Sequence, residues 1–160
     1  MDIFQQVTTS GDGSIPECYQ CGTVAHLDHR SRCRDCNTGW LRAHYKVIVA
    51  GGRTFNDADR MAEKLDTYLA NHMGDAMIVS GGARGADRMG ESYAHKRELE
   101  CIRIPAPWDK LGKSAGYVRN DFMAKHADAC IVFWDGESRG TKHMIDCAIK
   151  RRIPLRVITY

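Results

Sequence analysis

The 160-residue sequence predicts an α/β protein with a doubly wound parallel sheet, preceded by a small zinc ribbon. Short apolar runs alternate with helical patterns after residue 45, and glycine-rich loops follow several of these runs. Because apolar runs without alternation are typical of strands buried on both faces, the sheet is expected to be parallel and covered by helices. The ribbon is predicted from four of the seven cysteines, which fall close together before residue 37.

Composition sets the broad class of the protein. With 43% apolar and 27% charged residues the chain is expected to be globular. It has no run of about 20 apolar residues that could span a membrane, and its first residues lack the basic segment and the apolar segment of a signal peptide. We therefore expect a cytoplasmic protein with no membrane contact. The net charge of +3 does not by itself indicate a nucleic-acid binder.

The predicted elements divide the chain into three parts. Strands are expected at residues 46–51, 76–80, 101–104, 129–134 and 155–158, and helices at about 57–72, 86–99, 115–126 and 141–151. Residues 46–160 would form the α/β domain, and residues 16–40 the ribbon. Residues 1–15 are rich in Thr, Ser and Gly, and are expected to be a flexible N-terminus.

The cysteine spacing indicates a metal site. Cys18 and Cys21 are separated by two residues, as are Cys33 and Cys36, with eleven residues between the pairs. Two such turns can complete a tetrahedral site of four thiolates, which suits structural zinc, one ion per chain. His26 and His29 could replace a cysteine, but four thiolates already fill the shell. Cys101, Cys130 and Cys147 stand singly in apolar surroundings and are expected to be buried thiols.

Four glycine-containing segments, each with one arginine, indicate a site for a phosphate-bearing ligand. The arginines are Arg53, Arg84, Arg119 and Arg139. If strand 46–51 lies between strands 76–80 and 129–134, these segments converge outside the carboxyl ends of the strands, where α/β sheets bind ligands. The candidate ligand contacts are Gly51, Gly52, Arg53, Ser80, Gly81, Gly82, Arg84, Gly85, Asp87, Trp108, Arg119, Asn120, Gly136, Arg139, Gly140 and Thr141.

Several of these residues have two interpretations. Trp108 can stack on a base or pack against its own loop, and Tyr117 shares that ambiguity. Arg84, Arg119 and Arg139 can contact a ligand or can pair with Asp87, Asp135 or Glu137. His143 and Asp146 can form a dyad or, as their spacing on a helix favours, a surface pair.

These segments resemble a known family. The stretches Val49 to Phe55, Ser80 to Asp87, Pro105 to Trp108, Ala115 to Asn120, and Arg139 to Met144 are similar to the YspA-like branch of the SLOG superfamily over residues 46–160. That superfamily consists of Rossmann-like domains related to DprA and to the LOG phosphoribohydrolases. The resemblance implies binding of a nucleotide-derived ligand, of ADP-ribose, cyclic or mononucleotide type, and a homo-oligomer.

One departure from the family concerns catalysis. Enzymatic members carry a Pro-Gly-Gly-x-Gly-Thr loop followed closely by glutamates, whereas here Thr141 is followed by Lys142, His143 and Met144. Asp87, Glu91 and Asp135 are the remaining candidate acids near the loops. The leading hypothesis is therefore a non-enzymatic sensor or sequestering protein. The alternatives are a nucleotide N-glycosidase and a DprA-like accessory factor that binds nucleic acid.

The cysteine spacing leads to the first testable prediction. Purified protein should contain one zinc per chain, and the double variant Cys18→Ser/Cys33→Ser should contain none, because each pair would lose a ligand. Elemental analysis measures the zinc content. Zinc retained at one ion per chain by the double variant would contradict the assignment.

Overall fold

The structure of the protein is a computed structural model that describes residues 4–6 and 45–160. It is an α/β fold with one parallel sheet of six strands in the order β1-β4-β3-β2-β5-β6. The strands are β1 (Phe4–Gln6), β2 (Tyr45–Gly51), β3 (Ala76–Ser80), β4 (Glu100–Arg103), β5 (Ala129–Trp134) and β6 (Leu155–Thr159). The four cysteines of the predicted ribbon lie outside the described residues.

Helices connect the strands and cover the sheet. They are α1 (Ala58–Tyr68), α2 (Ala86–Lys96), the short α3 (Trp108–Leu111), α4 (Ala115–His126) and α5 (Arg139–Arg151). A 3₁₀ turn, Gly112–Ser114, joins α3 to α4. Asp57 caps α1 by accepting a hydrogen bond from the amide of Arg60, and Ser138 caps α5 in the same way from Thr141.

Strand β2 lies between β3 and β5, which is the arrangement under which the glycine segments were expected to converge. It pairs with β3 on one side, where Val47 is opposite Ile78, and with β5 on the other, where Val47 is opposite Ala129. The chain therefore adds β3 and β4 on one side of β2 and then crosses to add β5 and β6 on the other. This reversal opens a crevice at the carboxyl ends of the central strands.

Two apolar clusters hold the helices on opposite faces of the sheet. On one face α4 and α5 contribute Met123 and Met144, which pack with Ile48 and Val132. On the other face α1 and α2 pack against the alternate residues of the same strands; this cluster includes Val47, Val49, Met61, Leu65, Ala86, Tyr93, Ile131 and Phe133. Alternate residues of each central strand thus face different helices, which explains their unbroken apolar runs.

The structure differs from the sequence prediction mainly at element ends. Residues 4–6, which the sequence placed in a flexible segment, form the edge strand β1 and pair with β4. Helix α2 ends at Lys96, before the predicted residue 99, because Glu98 adopts a positive φ of 56°. Leu99 is still buried, after the helix has ended, and this burial made the helical pattern look longer. Helix α3 was not predicted.

No helix within the described residues is both long enough and apolar enough to cross a membrane.

The contact between α2 and β2 leads to a prediction about stability. A Cβ atom on Gly90 would lie 2.7 Å from Cγ1 of Val49, so α2 rests directly on the strand. Gly90→Ala should destabilise the fold by roughly 1–3 kcal/mol through overpacking, although alanine gains up to about 1 kcal/mol in helix propensity. Urea denaturation measures the change.

Gly140→Ala is the matched control, because Gly140 is also helical and a Cβ there meets no atom within 4 Å. This variant should keep or slightly raise the free energy of unfolding. Equal effects of the two substitutions would show that the approach of α2 to β2 is not a constraint.

Candidate ligand-binding site

A cleft opens where the loops after β2 and β3 meet the beginnings of α3, α4 and α5. Its larger part, the outer chamber, has a volume of about 390 Å³. The chamber is bordered by glycine-rich backbone, four cationic side chains and two aromatic rings. Its lining residues are Arg53, Gly81, Gly82, Ala83, Arg84, Trp108, Lys113, Gly116, Tyr117, Arg119, Asn120 and Gly140.

A smaller cavity, the inner pocket, continues the cleft toward the centre of the sheet. It has a volume of about 100 Å³ and is lined by Ala50, Gly51, Arg53, Ala83, Asp87, Arg119, Asn120, Met123, Ser138, Gly140, Thr141 and Met144. The two cavities share Arg53, Ala83, Arg119, Asn120 and Gly140, so these residues form the junction between them.

The cleft brings together eleven of the sixteen candidate ligand contacts. These are Gly51, Arg53, Gly81, Gly82, Arg84, Asp87, Trp108, Arg119, Asn120, Gly140 and Thr141. The other five, which are Gly52, Ser80, Gly85, Gly136 and Arg139, line neither cavity. Lys113 and Gly116 line the outer chamber but were not predicted; Lys113 comes just before the third glycine segment, a position without a signal of its own.

The five residues outside the cleft have other positions. The backbones of Gly52 and Gly85 are in direct contact. A Cβ on Gly85 would lie only 2.3 Å from the carbonyl oxygen of Gly52. Gly136 has a φ of +81° in an exposed turn. The Oδ1 atom of Asp135 shapes that turn by accepting hydrogen bonds from two amides, at 3.0 and 2.8 Å. Arg139 begins α5 and is exposed.

Ser80 lies beneath the loop after β3 and supports it. Its buried hydroxyl accepts a hydrogen bond of 3.0 Å from the amide of Gly82 and donates one of 2.7 Å to Glu91. The buried carboxylate of Glu91 also accepts from Nε of Arg103 at 2.8 Å and forms an ion pair with the same guanidinium. Local sequence patterns did not indicate this ion pair, because Glu91 lies on α2 and Arg103 on β4. The hydrogen bonds among Ser80, Glu91 and Arg103 thus stabilise the loop after β3 on its side away from the cleft.

Arg119 and Asn120, both on α4, connect the loop after β3 with the beginning of α5. Nη1 of Arg119 donates to the carbonyl oxygen of Gly81 at 2.6 Å, and Nε donates to the side-chain oxygen of Asn120 at 3.0 Å. The amide nitrogen of Asn120 in turn donates to the carbonyl oxygen of Gly140 at 3.2 Å. Burial lowers the pKa of Arg119, while the nearby charge of Asp87 opposes that shift.

The glycine at position 81 makes this arrangement possible. A Cβ there would lie 2.1 Å from Nη1 of Arg119 and 2.8 Å from Oδ2 of Asp87. The loop backbone therefore passes between the half-buried guanidinium of Arg119 and the buried carboxylate of Asp87. Gly82, with a φ of +73°, then turns the chain back over the side chain of Arg103.

Asp87 is an unusual group for a site expected to bind phosphate. Only 4% of the residue is exposed, and its Oδ2 atom accepts a hydrogen bond of 3.3 Å from the amide of Ala83. Burial raises the pKa of Asp87 to about 6, while Arg119 and backbone amides partly oppose that shift. A carboxyl group in this position titrates near neutral pH.

Three other candidate arginines are available for a ligand. Among the described residues, the side chains of Arg53, Arg84 and Arg139 make neither a hydrogen bond nor an ion pair. The alternative that they pair with Asp87, Asp135 or Glu137 is therefore not realised within this part of the chain. Arg53 and Arg84 border the outer chamber, where an anion would meet both guanidinium groups.

Two aromatic rings border the same chamber. Trp108 is 53% exposed, and its ring lies over Gly116, where a Cβ would be 3.2 Å from Cη2. Tyr117 is 46% exposed and packs edge-on against His143, with ring centroids 4.5 Å apart. His143 and Asp146 do not form a dyad, because Asp146 pairs with Lys142 at 2.5 Å.

Three thiols lie within the described residues. Cys101, Cys130 and Cys147 are buried, and burial raises the pKa of each thiol. Within the residues that the structure describes, no three His, Cys, Asp or Glu side chains are grouped so as to hold a metal ion.

Comparison with known proteins identifies the family. The model of the YspA, cpYpsA-related SLOG family matches residues 45–111, from β2 to the end of α3. The chain is also 33% identical over 116 residues to the Gene 61 protein of Mycobacterium phage D29, an alignment that covers 69% of this chain and 93% of that protein. No solved structure matches the chain significantly. The chain belongs to the YspA, cpYpsA-related SLOG family.

The burial of Asp87 leads to a prediction about stability and pH. Because its pKa is raised from 3.8 to about 6 in the folded protein, Asp87 favours folding most below pH 4, and this contribution is lost as the pH rises through 6. Asp87→Asn removes the ionisation. The free energy of unfolding of this variant, relative to that of the wild type, should therefore rise between pH 4 and pH 7 in urea titrations.

Asp135→Asn is the control with the opposite sign. Hydrogen bonds from the amides of Ser138 and Glu137 lower the pKa of Asp135, so its contribution to stability is present above pH 4 and is lost as the pH falls. This variant should lose stability relative to the wild type at neutral pH and recover toward it in acid. A pH-independent difference for Asp87→Asn would contradict the assignment.

Proposed function

We propose that the cleft binds a phosphate-bearing nucleotide derivative, of ADP-ribose, cyclic or mononucleotide type, and that the protein acts as a sensor or a sequestering protein. Membership of the SLOG family supports a nucleotide-related role in general. The observation that carries the finer proposal is the outer chamber, where Arg53 and Arg84 have no partner among the described residues and two exposed aromatic rings stand nearby.

The cations in the outer chamber suit a phosphate group. Arg53 and Arg84 follow two neighbouring strands, so their guanidinium groups approach the chamber from adjacent loops, and Lys113 approaches it from the turn before α4. Guanidinium groups bind phosphate oxygens through paired, charge-assisted hydrogen bonds. The beginning of α2 adds the positive end of a helix dipole near Arg84.

The aromatic rings suit the base of a nucleotide. Trp108 and Tyr117 are both about half exposed. Large aromatic rings that only pack in a core are usually more buried than this. Both rings border the chamber that holds the cations. A ligand with a phosphate at one end and a planar base at the other would contact both kinds of group.

A second candidate function is cleavage of an N-glycosidic bond. Asp87 favours it, because a carboxyl group with a pKa of about 6 retains a protonated fraction near neutral pH and can donate a proton to a leaving base. The absence of a glutamate directly after Thr141 favours binding without cleavage. Release of free base and ribose phosphate from a nucleoside monophosphate would establish the enzyme; recovery of intact nucleotide supports the binding protein.

Three further predictions accompany this proposal. The structural zinc of Cys18, Cys21, Cys33 and Cys36 is proposed from cysteine spacing. The homo-oligomer is proposed from the family resemblance, and the cytoplasmic location stays a prediction.

The contact with phosphate is tested by Arg84→Ala. Loss of one charge-assisted hydrogen-bonding group should weaken binding about 10–100-fold, which corresponds to roughly 1.5–3 kcal/mol. Calorimetry with ADP-ribose, its cyclic isomers, nucleoside monophosphates and cyclic dinucleotides measures the affinities. The stability of this variant should change little, because the Arg84 side chain is exposed and makes no hydrogen bond or ion pair within the described residues.

Arg88→Ala is the matched control, since Arg88 is an exposed arginine four residues further along the chain that does not line the cleft. It should bind like the wild type. Equal losses in the two variants would indicate a general effect of charge, and wild-type affinity in Arg84→Ala would refute the phosphate contact.

A further inference from the structure

We propose that the inner pocket binds the sugar hydroxyl groups of the nucleotide, with the carboxylate of Asp87 as their hydrogen-bond acceptor, while the phosphate stays in the outer chamber. This inference rests on the function proposed above and assigns an orientation to the ligand. It is drawn from the charges, the hydrogen bonds and the size of the pocket.

The inner pocket carries charges of both signs, because Asp87, Arg53 and Arg119 all line it, so neither a phosphate nor an ammonium group would meet only opposite charges there. The buried carboxylate of Asp87 would repel a phosphate group placed there. The guanidinium groups of Arg53 and Arg119, at the junction with the outer chamber, would repel an ammonium group in the same way. A neutral group that carries hydrogen-bond donors meets neither repulsion.

The polar groups of the pocket match hydroxyl groups in particular. The Ser138 oxygen accepts hydrogen bonds from the amide of Thr141 at 3.4 Å and from the Thr141 hydroxyl at 2.9 Å. Since both acceptor sites of Ser138 are then occupied, its own proton is available to a ligand oxygen. When it is ionised, the Asp87 carboxylate can accept hydrogen bonds but cannot donate them. A hydroxyl group, which donates and accepts, can satisfy both residues.

The size and the apolar wall of the pocket fit a sugar edge better than a base. A volume of about 100 Å³ equals the share of roughly three water molecules in the liquid. A bicyclic base is better accommodated in the outer chamber, where the two aromatic rings lie. Ala50, Met123 and Met144 provide apolar contacts for the carbon atoms of a furanose ring.

The test compares AMP with its 2′,3′-dideoxy analogue, which lacks both sugar hydroxyl groups but keeps the base and the phosphate. Calorimetry should show that the wild type binds AMP about tenfold or more tightly than the analogue, because hydrogen bonds to an ionised group are lost. In Asp87→Asn the preference for AMP over the analogue should fall below about threefold, because the variant lacks the ionised group that the sugar hydroxyl groups bind.

Asp135→Asn is the matched control, because Asp135 is a second aspartate at this edge of the sheet that lines neither cavity. It should keep the full preference for AMP. Circular dichroism and urea denaturation check that Asp87→Asn is folded, and the preference of the wild type tests the proposal even without that variant.

Two results would overturn this inference and leave the proposed function in place. One is equal binding of AMP and the dideoxy analogue by the wild type, with both weakened by Arg84→Ala. The other is a tenfold preference that persists in folded Asp87→Asn. Failure of the wild type to bind either compound would overturn both the inference and the mononucleotide-binding function on which it rests.

Discussion

The close approach of Gly81 to Arg119 and Asp87 is the constraint on which the cleft depends. Nη1 of Arg119 holds the carbonyl oxygen of Gly81 at 2.6 Å, and the carboxylate of Asp87 binds the amide of Ala83 on the other side. A side chain at position 81 would occupy the space of both groups. The loop after β3 is therefore held between Asp87, close by in sequence, and Arg119, which is 38 residues from Gly81, and its backbone faces the cleft.

Behind this loop a second set of contacts keeps it in place. Ser80, Glu91 and Arg103 join the end of β3, the middle of α2 and the end of β4, so three elements fix the position of Gly82. Because Glu91 is buried, its charge requires Arg103 as a partner. Arg53 and Arg84 can remain without hydrogen-bonding partners among the described residues because Arg119 and this separate ion pair support the loop.

Most of the fold could be predicted from local signals. The apolar runs of β2, β3 and β5 lie where their sequences place them, since alternate residues of each strand enter different cores. The ends of α1 and α2 were less predictable, as Leu99 shows: it is buried by tertiary packing after the helix has ended. Helix α3 has only four residues, too few for a periodic pattern. Strand β1 could not be predicted locally because it is defined by its pairing with β4, which is distant in sequence.

The sequence by itself determined the α/β class, the order of the elements and the edge of the sheet where glycine and arginine gather. Those properties depend on residues close together in the chain. Only the tertiary structure decided which of the residues face the cleft: Ser80 supports the loop from beneath, Lys113 enters the outer chamber, and Asp87 enters the inner pocket. These positions depend on contacts such as that between Arg119 and Gly81, 38 residues apart, which no local pattern encodes.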